Sequence, residues 1–172
     1  ISQTPVYPPA YTVEDVLQYP TRVFSVGRLD KDSEGLLLVT NNGDIINQMM
    51  RAANRHEKEY KVTVDKPVTD EFLKEMAGGV PILDTVTRPC QVEKLGKYKF
   101  KIILTQGLNR QIRRMCEALG YEVKELRRVR IMNIELGNLK PGEYRKVTDQ
   151  ELNELYELIR DSKSEPTPWN NN

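Results

Sequence analysis

Lys97-Tyr98-Lys99-Phe100-Lys101-Ile102-Ile103-Leu104 leads, after Thr105, into Gln106-Gly107-Leu108-Asn109-Arg110-Gln111-Ile112-Arg113-Arg114-Met115-Cys116-Glu117-Ala118-Leu119-Gly120. The hydrophobic period changes part-way along this stretch, and that change decides the fold class. In the first half Tyr98, Phe100, Ile102 and Leu104 fall on one face while Lys97, Lys99 and Lys101 fall on the other, the period of two of a half-buried strand. In the second half Ile112, Met115, Cys116 and Leu119 recur at i, i+3, i+4 and i+7, so the stretch reads as an amphipathic helix. Asn109 is placed to cap that helix and Gly120 to end it. A two-residue link, Gly96-Lys97, points to an antiparallel hairpin with the strand before it.

The rest of the chain follows the same logic. Upstream, Val23–Val26 and Leu36–Thr40 are short apolar runs on either side of a polar loop and read as buried strands. Asn41-Asn42-Gly43-Asp44 is turn chemistry, after which Ile45, Ile46, Met49 and Met50 fall at helical spacing. Tyr60, Val62 and Val64 alternate with polar residues, as on a strand. Thr69 is expected to cap a short helix whose acidic start, Asp70-Glu71, suits the positive end of the dipole. Phe72, Leu73 and Met76 supply its apolar stripe, and Gly78-Gly79 end it. Val86–Val92 reads as the core of a further strand, and Tyr121–Leu136 holds one or two more. Pro141-Gly142 makes a turn. Thr148-Asp149-Gln150-Glu151 is a capping box, and Leu152, Leu155, Tyr156 and Ile159 form the expected buried face of the last helix. Residues 1–21, rich in proline, read as an extended arm, 22–161 as one folded domain, and 162–172 as a disordered tail. No repeat is present. The expected fold is α+β, a mixed, mainly antiparallel sheet with flanking helices.

Composition narrows the function. Of 172 residues, 30% are charged and 38% belong to the hydrophobic set, enough for one domain with a core. No apolar run approaches the about 18 residues of a membrane helix. Two cysteines, Cys90 and Cys116, make neither a disulfide framework nor a Cys-rich zinc site, and the lone His56 argues against a multi-histidine metal site. Without a signal peptide the expected location is the cytoplasm. The chain starts at Ile1 rather than Met and reads as a fragment. The net charge of +1 is unevenly spread: Arg88–Arg130 carries twelve Lys/Arg against four Asp/Glu, and Glu143–Glu165 carries four against seven. A basic middle suits a polyanion partner, and it equally suits an ordinary solvated surface.

Three groups of residues could carry chemistry. Gly27-Arg28-Leu29-Asp30-Lys31-Asp32-Ser33-Glu34-Gly35 puts three acids on a glycine-bounded loop between two strands. A surface turn is one reading. A calcium loop is another, since Asp30-x-Asp32-x-Glu34-Gly35 copies the start of an EF-hand, but the twelfth position is Asn41 instead of a bidentate Glu. The third is a single nucleophilic or basic carboxylate at a strand end, which needs a cation beside it. Arg110, Arg113 and Arg114 could provide one. They cluster in the first turn of a helix, against the dipole, a cost that a phosphate or carboxylate at the site would offset. Leu126-Arg127-Arg128-Val129-Arg130 adds three cations on a strand, a track suited to a phosphate backbone. Tyr60, by periodicity alone, is an ordinary sheet-core tyrosine.

Gly27-Arg28-Leu29-Asp30 followed by Ser33-Glu34-Gly35-Leu36-Leu37 resembles the signature of the pseudouridine synthases of the RsuA/RluB/RluE/RluF group. Lys58-Glu59-Tyr60, Gly79-Val80-Pro81-Ile82 and Gln106–Met115 agree with it in order and spacing, so the resemblance covers about residues 22–160. It implies the catalytic domain of an enzyme that isomerises a particular uridine in RNA, with no cofactor and no metal. Residue by residue, Asp30 matches the catalytic aspartate, Tyr60 the tyrosine that stacks on the target base, and Arg113 the basic residue paired with the aspartate. Leu126 resembles the apolar residue lining the uracil pocket, with Arg28 beside it. Lys31, Asn109, Arg110, Arg114, Arg127, Arg128 and Arg130 are the expected RNA contacts. The expected partner is large-subunit ribosomal RNA, with tRNA a second candidate and the chain a monomer. Family members usually carry an N-terminal S4-type RNA-binding domain and an Asn-Lys-Pro-type strand, neither of which is seen here. The competing class is a non-catalytic RNA-binding or ribosome-assembly module of the same fold. The missing histidines and the failed calcium loop disfavour a metal-dependent nuclease.

Overall fold

Alternation of apolar and polar residues builds the central sheet in the computed structural model, which describes residues 22–164, with side chains to 160. Its strands are β4 (Lys58–Val64), β7 (Gln91–Gly96), β8 (Lys99–Leu104), β9 (Val123–Ile131) and β10 (Ile134–Glu135), in the order β10-β9-β4-β8-β7. Every pair along that path is antiparallel. A two-residue strand, β2 (Glu34–Gly35), joins the free edge of β9 in parallel, making the sheet mixed. Two small ladders stand apart: β1 (Phe24–Val26) with β3 (Leu38–Thr40), and β5 (Pro81–Ile82) with β6 (Thr85–Val86). The α-helices among the described residues are α1 (Ile46–Ala53), α2 (Asp70–Gly78), α3 (Gln111–Ala118) and α4 (Asp149–Ser164).

The apolar faces meet in two clusters. Val62, Phe100 and Ile102 from the sheet pack against Phe72 and Met76 of α2 and Ile112, Met115 and Cys116 of α3. Val26, Leu36 and Leu38 pack with Met49 and Ala52 of α1, Ile131 and Ile134, and Leu155 and Ile159 of α4. Burying each large apolar side chain contributes roughly 1.5–3 kcal/mol before entropy is subtracted. No helix among the described residues is long and apolar enough to cross a membrane.

The expected caps form. Thr69 Oγ1 accepts from Phe72 N at 3.0 Å. At the start of α4 the box closes in both directions: Glu151 N donates to Thr148 Oγ1 and Thr148 N donates to Glu151 Oε1. A hydrogen bond from Arg145 and the Thr148 N–H hold the Glu151 carboxyl down at about 2.

Elsewhere the structure departs from the periodicity. The hairpin between β7 and β8 turns through Lys97-Tyr98, with Gly96 opposite Lys99, because both turn carbonyls are engaged: Val68 N donates to Lys97 O and Val64 N to Tyr98 O. Tyr98 is consequently exposed rather than on the strand's apolar face. The single strand expected over Val86–Val92 is instead β6 and the start of β7, separated by Thr87-Arg88-Pro89-Cys90. Pro89 has no N–H for a ladder, and Thr87 is drawn inward by exchanging bonds with the Val80 backbone. On α4 the buried positions are Leu155 and Ile159, with Leu158 packed beside them, while Tyr156 is exposed. That helix runs to Ser164, so Ser162–Ser164 are helical. The expected arm, 1–21, and the rest of the expected tail, 165–172, lie outside the described residues.

Candidate active site

The acidic loop is folded onto the sheet by its last residue. Gly35 has φ +123°, and a Cβ there would sit 2.2 Å from the carbonyl oxygen of Arg128, so only glycine lets β2 lie against β9. At the other end Gly27 turns the chain with φ +81°, and Ser33 N donates to Asp30 O at 2.9 Å. These constraints hold Asp30 beside the N-terminus of α3.

Helix α3 meets the loop with two guanidinium groups. Arg113 Nε lies 3.5 Å from Asp30 Oδ2, and Arg113 also donates to the Asp32 carbonyl at 2.6 Å. Arg110 donates to the Asp30 carboxylate and lies 3.7 Å from that of Asp32. Asp30 and Asp32 therefore occupy the positive end of the helix and offset the arginines that sit there against the dipole. Asn109 does not cap the helix. Arg110 holds the cap position in the left-handed region, φ 49°, without a side-chain cap bond. Such backbone in a non-glycine residue costs on the order of 1–3 kcal/mol and persists where surrounding contacts impose it. In this conformation Arg110 donates to the Asp30 carboxylate and its own carbonyl accepts from Arg114 N.

A cavity of about 120 Å³ opens beside this group. Strand register explains its walls. Tyr60 pairs with Arg128 and with Ile102, Val62 with Leu126, and Lys58 with Leu104. Tyr60, Leu104, Leu126 and Arg128 thus project from one face of three adjacent strands, Ile112 of α3 closes the apolar side, and Asp30, Arg28 and Arg113 stand at the mouth. Gln111, buried in the first turn of α3, accepts from Leu108 N at 3.1 Å and donates to Gln106, which in turn accepts from Arg88 N. This chain of bonds fixes the segment carrying the arginines. A larger cleft of about 780 Å³ lies between Ser33–Val39 and Ile134–Arg145. It shares Ser33 with the smaller cavity but has neither Asp30 nor Tyr60, which both line the smaller one.

The expected RNA contacts divide into separate environments. Lys31 is exposed on the loop. Arg114 is half-buried and donates to Asn109 O and Oδ1, both at 3.0 Å, so Asn109 orients Arg114. Arg127 is on the surface, paired with Glu34 at 2.8 Å. Arg130 is committed to Glu57 and Glu59 and to the Met132 carbonyl. Arg128 is 7% exposed and faces the cavity, so the three cations of β9 do not form one continuous track.

Lys58 is a member of this face that periodicity could have found, since it shares the parity of Tyr60 and Val62. It is buried, donates to Ala53 O, and is pushed down to about 8 by burial and then by the nearby Arg128 and Arg88 charges. Unfolded, this lysine keeps its proton up to about 10.5, so between the two values the folded chain binds fewer protons. Stability therefore rises with pH across that window. A Lys58→Met variant is expected to lose that part of the rise, read as urea-unfolding midpoints at the two ends of the window.

Among the described residues no group of three or more His, Cys, Asp or Glu is placed to hold a metal ion. Residues 9–118 match the model of a family described as RNA pseudouridylate synthase. The chain is 57% identical over 156 residues to the dual-specificity RNA pseudouridine synthase RluF of Shigella flexneri, covering 91% of this chain and 54% of that protein. It is 56% identical over the same length to RluF of Escherichia coli strain K12, with the same coverage. The chain thus spans about half the length of these relatives. A crystal structure of a pseudouridylate synthase superposes with a TM-score of 0.78 at 31% identity, covering 86% of this chain and 66% of that one.

Proposed function

The chain belongs to the RNA pseudouridylate synthase family, and on that premise we propose that it isomerises a uridine in large-subunit ribosomal RNA to pseudouridine, with Asp30 as the catalytic carboxylate. The observation that carries this reading is the Asp30–Arg113 pair, 3.5 Å apart, at the mouth of a cavity walled by Tyr60 and Leu126. A non-catalytic RNA-binding module has no need of a carboxylate held between two arginines beside a ring-sized recess.

The reaction exchanges one glycosidic bond for another. The N1–C1′ bond breaks, the uracil turns, C5 bonds to C1′, the C5 proton leaves and N1 takes one up. A stacked nucleotide must first leave the helix, at a cost of a few kcal/mol. The ring of Tyr60 offsets part of this, since a base stacked on an aromatic contributes roughly 1–3 kcal/mol. Arg110 and Arg113 provide the counter-charge for Asp30 and hold it toward the cavity. The detached base must turn without escaping, and the apolar wall of Leu104, Ile112 and Leu126 confines it while excluding water. Lys31 and Arg127, both exposed, and the half-buried Arg114 supply phosphate contacts.

The name of the relatives, dual-specificity, directs the test to two RNAs. Large-subunit rRNA and tRNA labelled as [5-³H]uridine are each incubated with the chain and released tritium is counted. Release from the rRNA is the expected result, and release from tRNA as well would assign both. Binding of both RNAs without release from either would identify a binding module instead.

A further inference from the structure

The connector between β6 and β7, Thr87-Arg88-Pro89-Cys90, commits every backbone N–H it has to the interior. Thr87 N donates to Val80 O and Cys90 N to Ala77 O, each at 3.0 Å. Arg88 N donates to the side-chain oxygen of Gln106 at 3.1 Å, and Pro89 has no N–H to place. Gln106 lines the recess that also holds Asp30 and Tyr60. The backbone of Arg88 is therefore fixed beside that recess, while its side chain is exposed. Among the described residues the Arg88 guanidinium makes no hydrogen bond or ion pair. By contrast, Arg110 and Arg113 are committed to Asp30, Arg127 to Glu34, and Arg130 to Glu57 and Glu59.

The charges around Arg88 are also unbalanced. Burial, then the Arg128 and Arg88 charges, push the nearby Lys58 down, and no carboxylate is among the groups that shift it. Three cations thus gather at this corner against their own repulsion, an arrangement that an anion relieves. An ordinary solvated arginine needs neither a pinned backbone nor cationic neighbours.

We infer that Arg88 holds a backbone phosphate of the substrate strand, next to the nucleotide that enters the recess. The identity of the polyanion as RNA rests on the proposed isomerisation; the need for an anion does not. Phosphate fits because a guanidinium presents paired N–H donors to two of its oxygens. A base edge is the poorer partner, since the exposed Arg88 is not among the residues that line the recess. The pinned connector lowers the entropy lost on binding, because the backbone that carries the contact is already ordered. Lys31, on the loop of Asp30, is exposed as well, so the strand meets cations from two separate elements.

The test is the salt dependence of RNA binding. Large-subunit rRNA is titrated with the unaltered protein, Arg88→Gln, Arg88→Lys and Lys61→Gln across a salt series. Lys61 is an exposed lysine on the sheet face opposite Tyr60, so its loss removes the same charge away from the recess. Arg88→Gln is expected to bind about tenfold more weakly at low salt. The slope of log affinity against log salt is expected to shrink by about 0.7, with Lys61→Gln close to the unaltered protein. Arg88→Lys keeps the charge and is expected to restore the slope but only part of the affinity. In tritium release the Arg88→Gln loss falls on KM, with kcat at saturating RNA little changed. Equal behaviour of Arg88→Gln and Lys61→Gln, or weaker binding at an unchanged slope, would overturn the inference. A thermal melt of Arg88→Gln is expected to match that of the unaltered protein, and a collapse would make Arg88 structural and overturn it too. Binding that depends on Arg88 without tritium release would contradict the proposed isomerisation alone, whereas no binding of rRNA by the unaltered protein would overturn both.

Discussion

Asp30→Asn is expected to abolish isomerisation while leaving the fold in place. The amide keeps the size and most of the hydrogen-bonding of the carboxylate but can neither attack carbon nor take a proton. Losing a positioned acid–base group alone lowers a rate by about 10²–10⁴-fold, and losing a nucleophile lowers it further. The structural cost is small. Arg110 and Asp30 are both partly exposed, and ion pairs of that kind are worth about 0–1 kcal/mol. Arg113 retains its bond to the Asp32 carbonyl, so α3 stays docked. Tritium release under single turnover, beside a thermal melt, checks both halves. A variant within tenfold of the parent would remove Asp30 from its role, and one that melts far lower would make Asp30 structural.

Gly35→Ala is expected to be the most destabilising single methyl in the loop that carries Asp30, at about 4 kcal/mol or more. Two costs combine. An L-residue at φ +123° is strained by on the order of 1–3 kcal/mol. The new methyl would also lie 2.2 Å from Arg128 O and 2.5 Å from Arg128 N, both backbone atoms of a paired strand that cannot swing aside. Relief requires β2 to leave β9, which breaks the Leu36 N to Arg128 O bond and the Arg128 bond to Leu36 O. The loop carrying Asp30 would then drift from α3, so activity falls together with stability. Gly27→Ala is the control. Gly27 is also left-handed, φ +81°, but nothing lies within 4 Å of its added Cβ, so only the backbone term of about 1 kcal/mol remains. Urea denaturation of the two variants distinguishes close approach from strain, and equal losses would contradict the close-approach account.

Much of this architecture was legible in the sequence because its signals are local. Tyr60-x-Val62-x-Val64 and Phe100-x-Ile102-x-Leu104 carry their own period, and Thr69 and Thr148-x-x-Glu151 satisfy N–H groups three residues away. Features set by distant partners were not. Glu34-Gly35 has no period to detect, and it becomes a strand only because β9 presents a free edge. Asn109 looks like a cap, but its side-chain oxygen accepts from Arg114 and the helix starts one residue later, after a left-handed Arg110. Pro89 breaks Val86–Val92, because it has no N–H for a ladder whatever the flanking valines favour.

The candidate site was legible in the same uneven way. Asp30, Tyr60 and Arg113 do converge on one cavity, but their roles rest on resemblance, since periodicity alone reads Tyr60 as core. Arg110, one of three arginines the clustering offers as the cation beside the loop and an RNA contact by resemblance, is a partner of Asp30. By charge alone Arg128 reads as a surface cation, since Arg127 and Arg130 lie on either side of it. Its parity with Leu126 assigns it to the cavity side, a signal that the charge of the run obscured.

The most direct test of the whole account is stoichiometric. Large-subunit rRNA labelled as [5-³H]uridine is treated with the chain, tritium release is followed to completion, and pseudouridine in the digested RNA is counted. One tritium released per pseudouridine formed, at one uridine per RNA, is the expected result. Tight binding with neither released tritium nor pseudouridine would contradict it and leave the fold serving recognition alone.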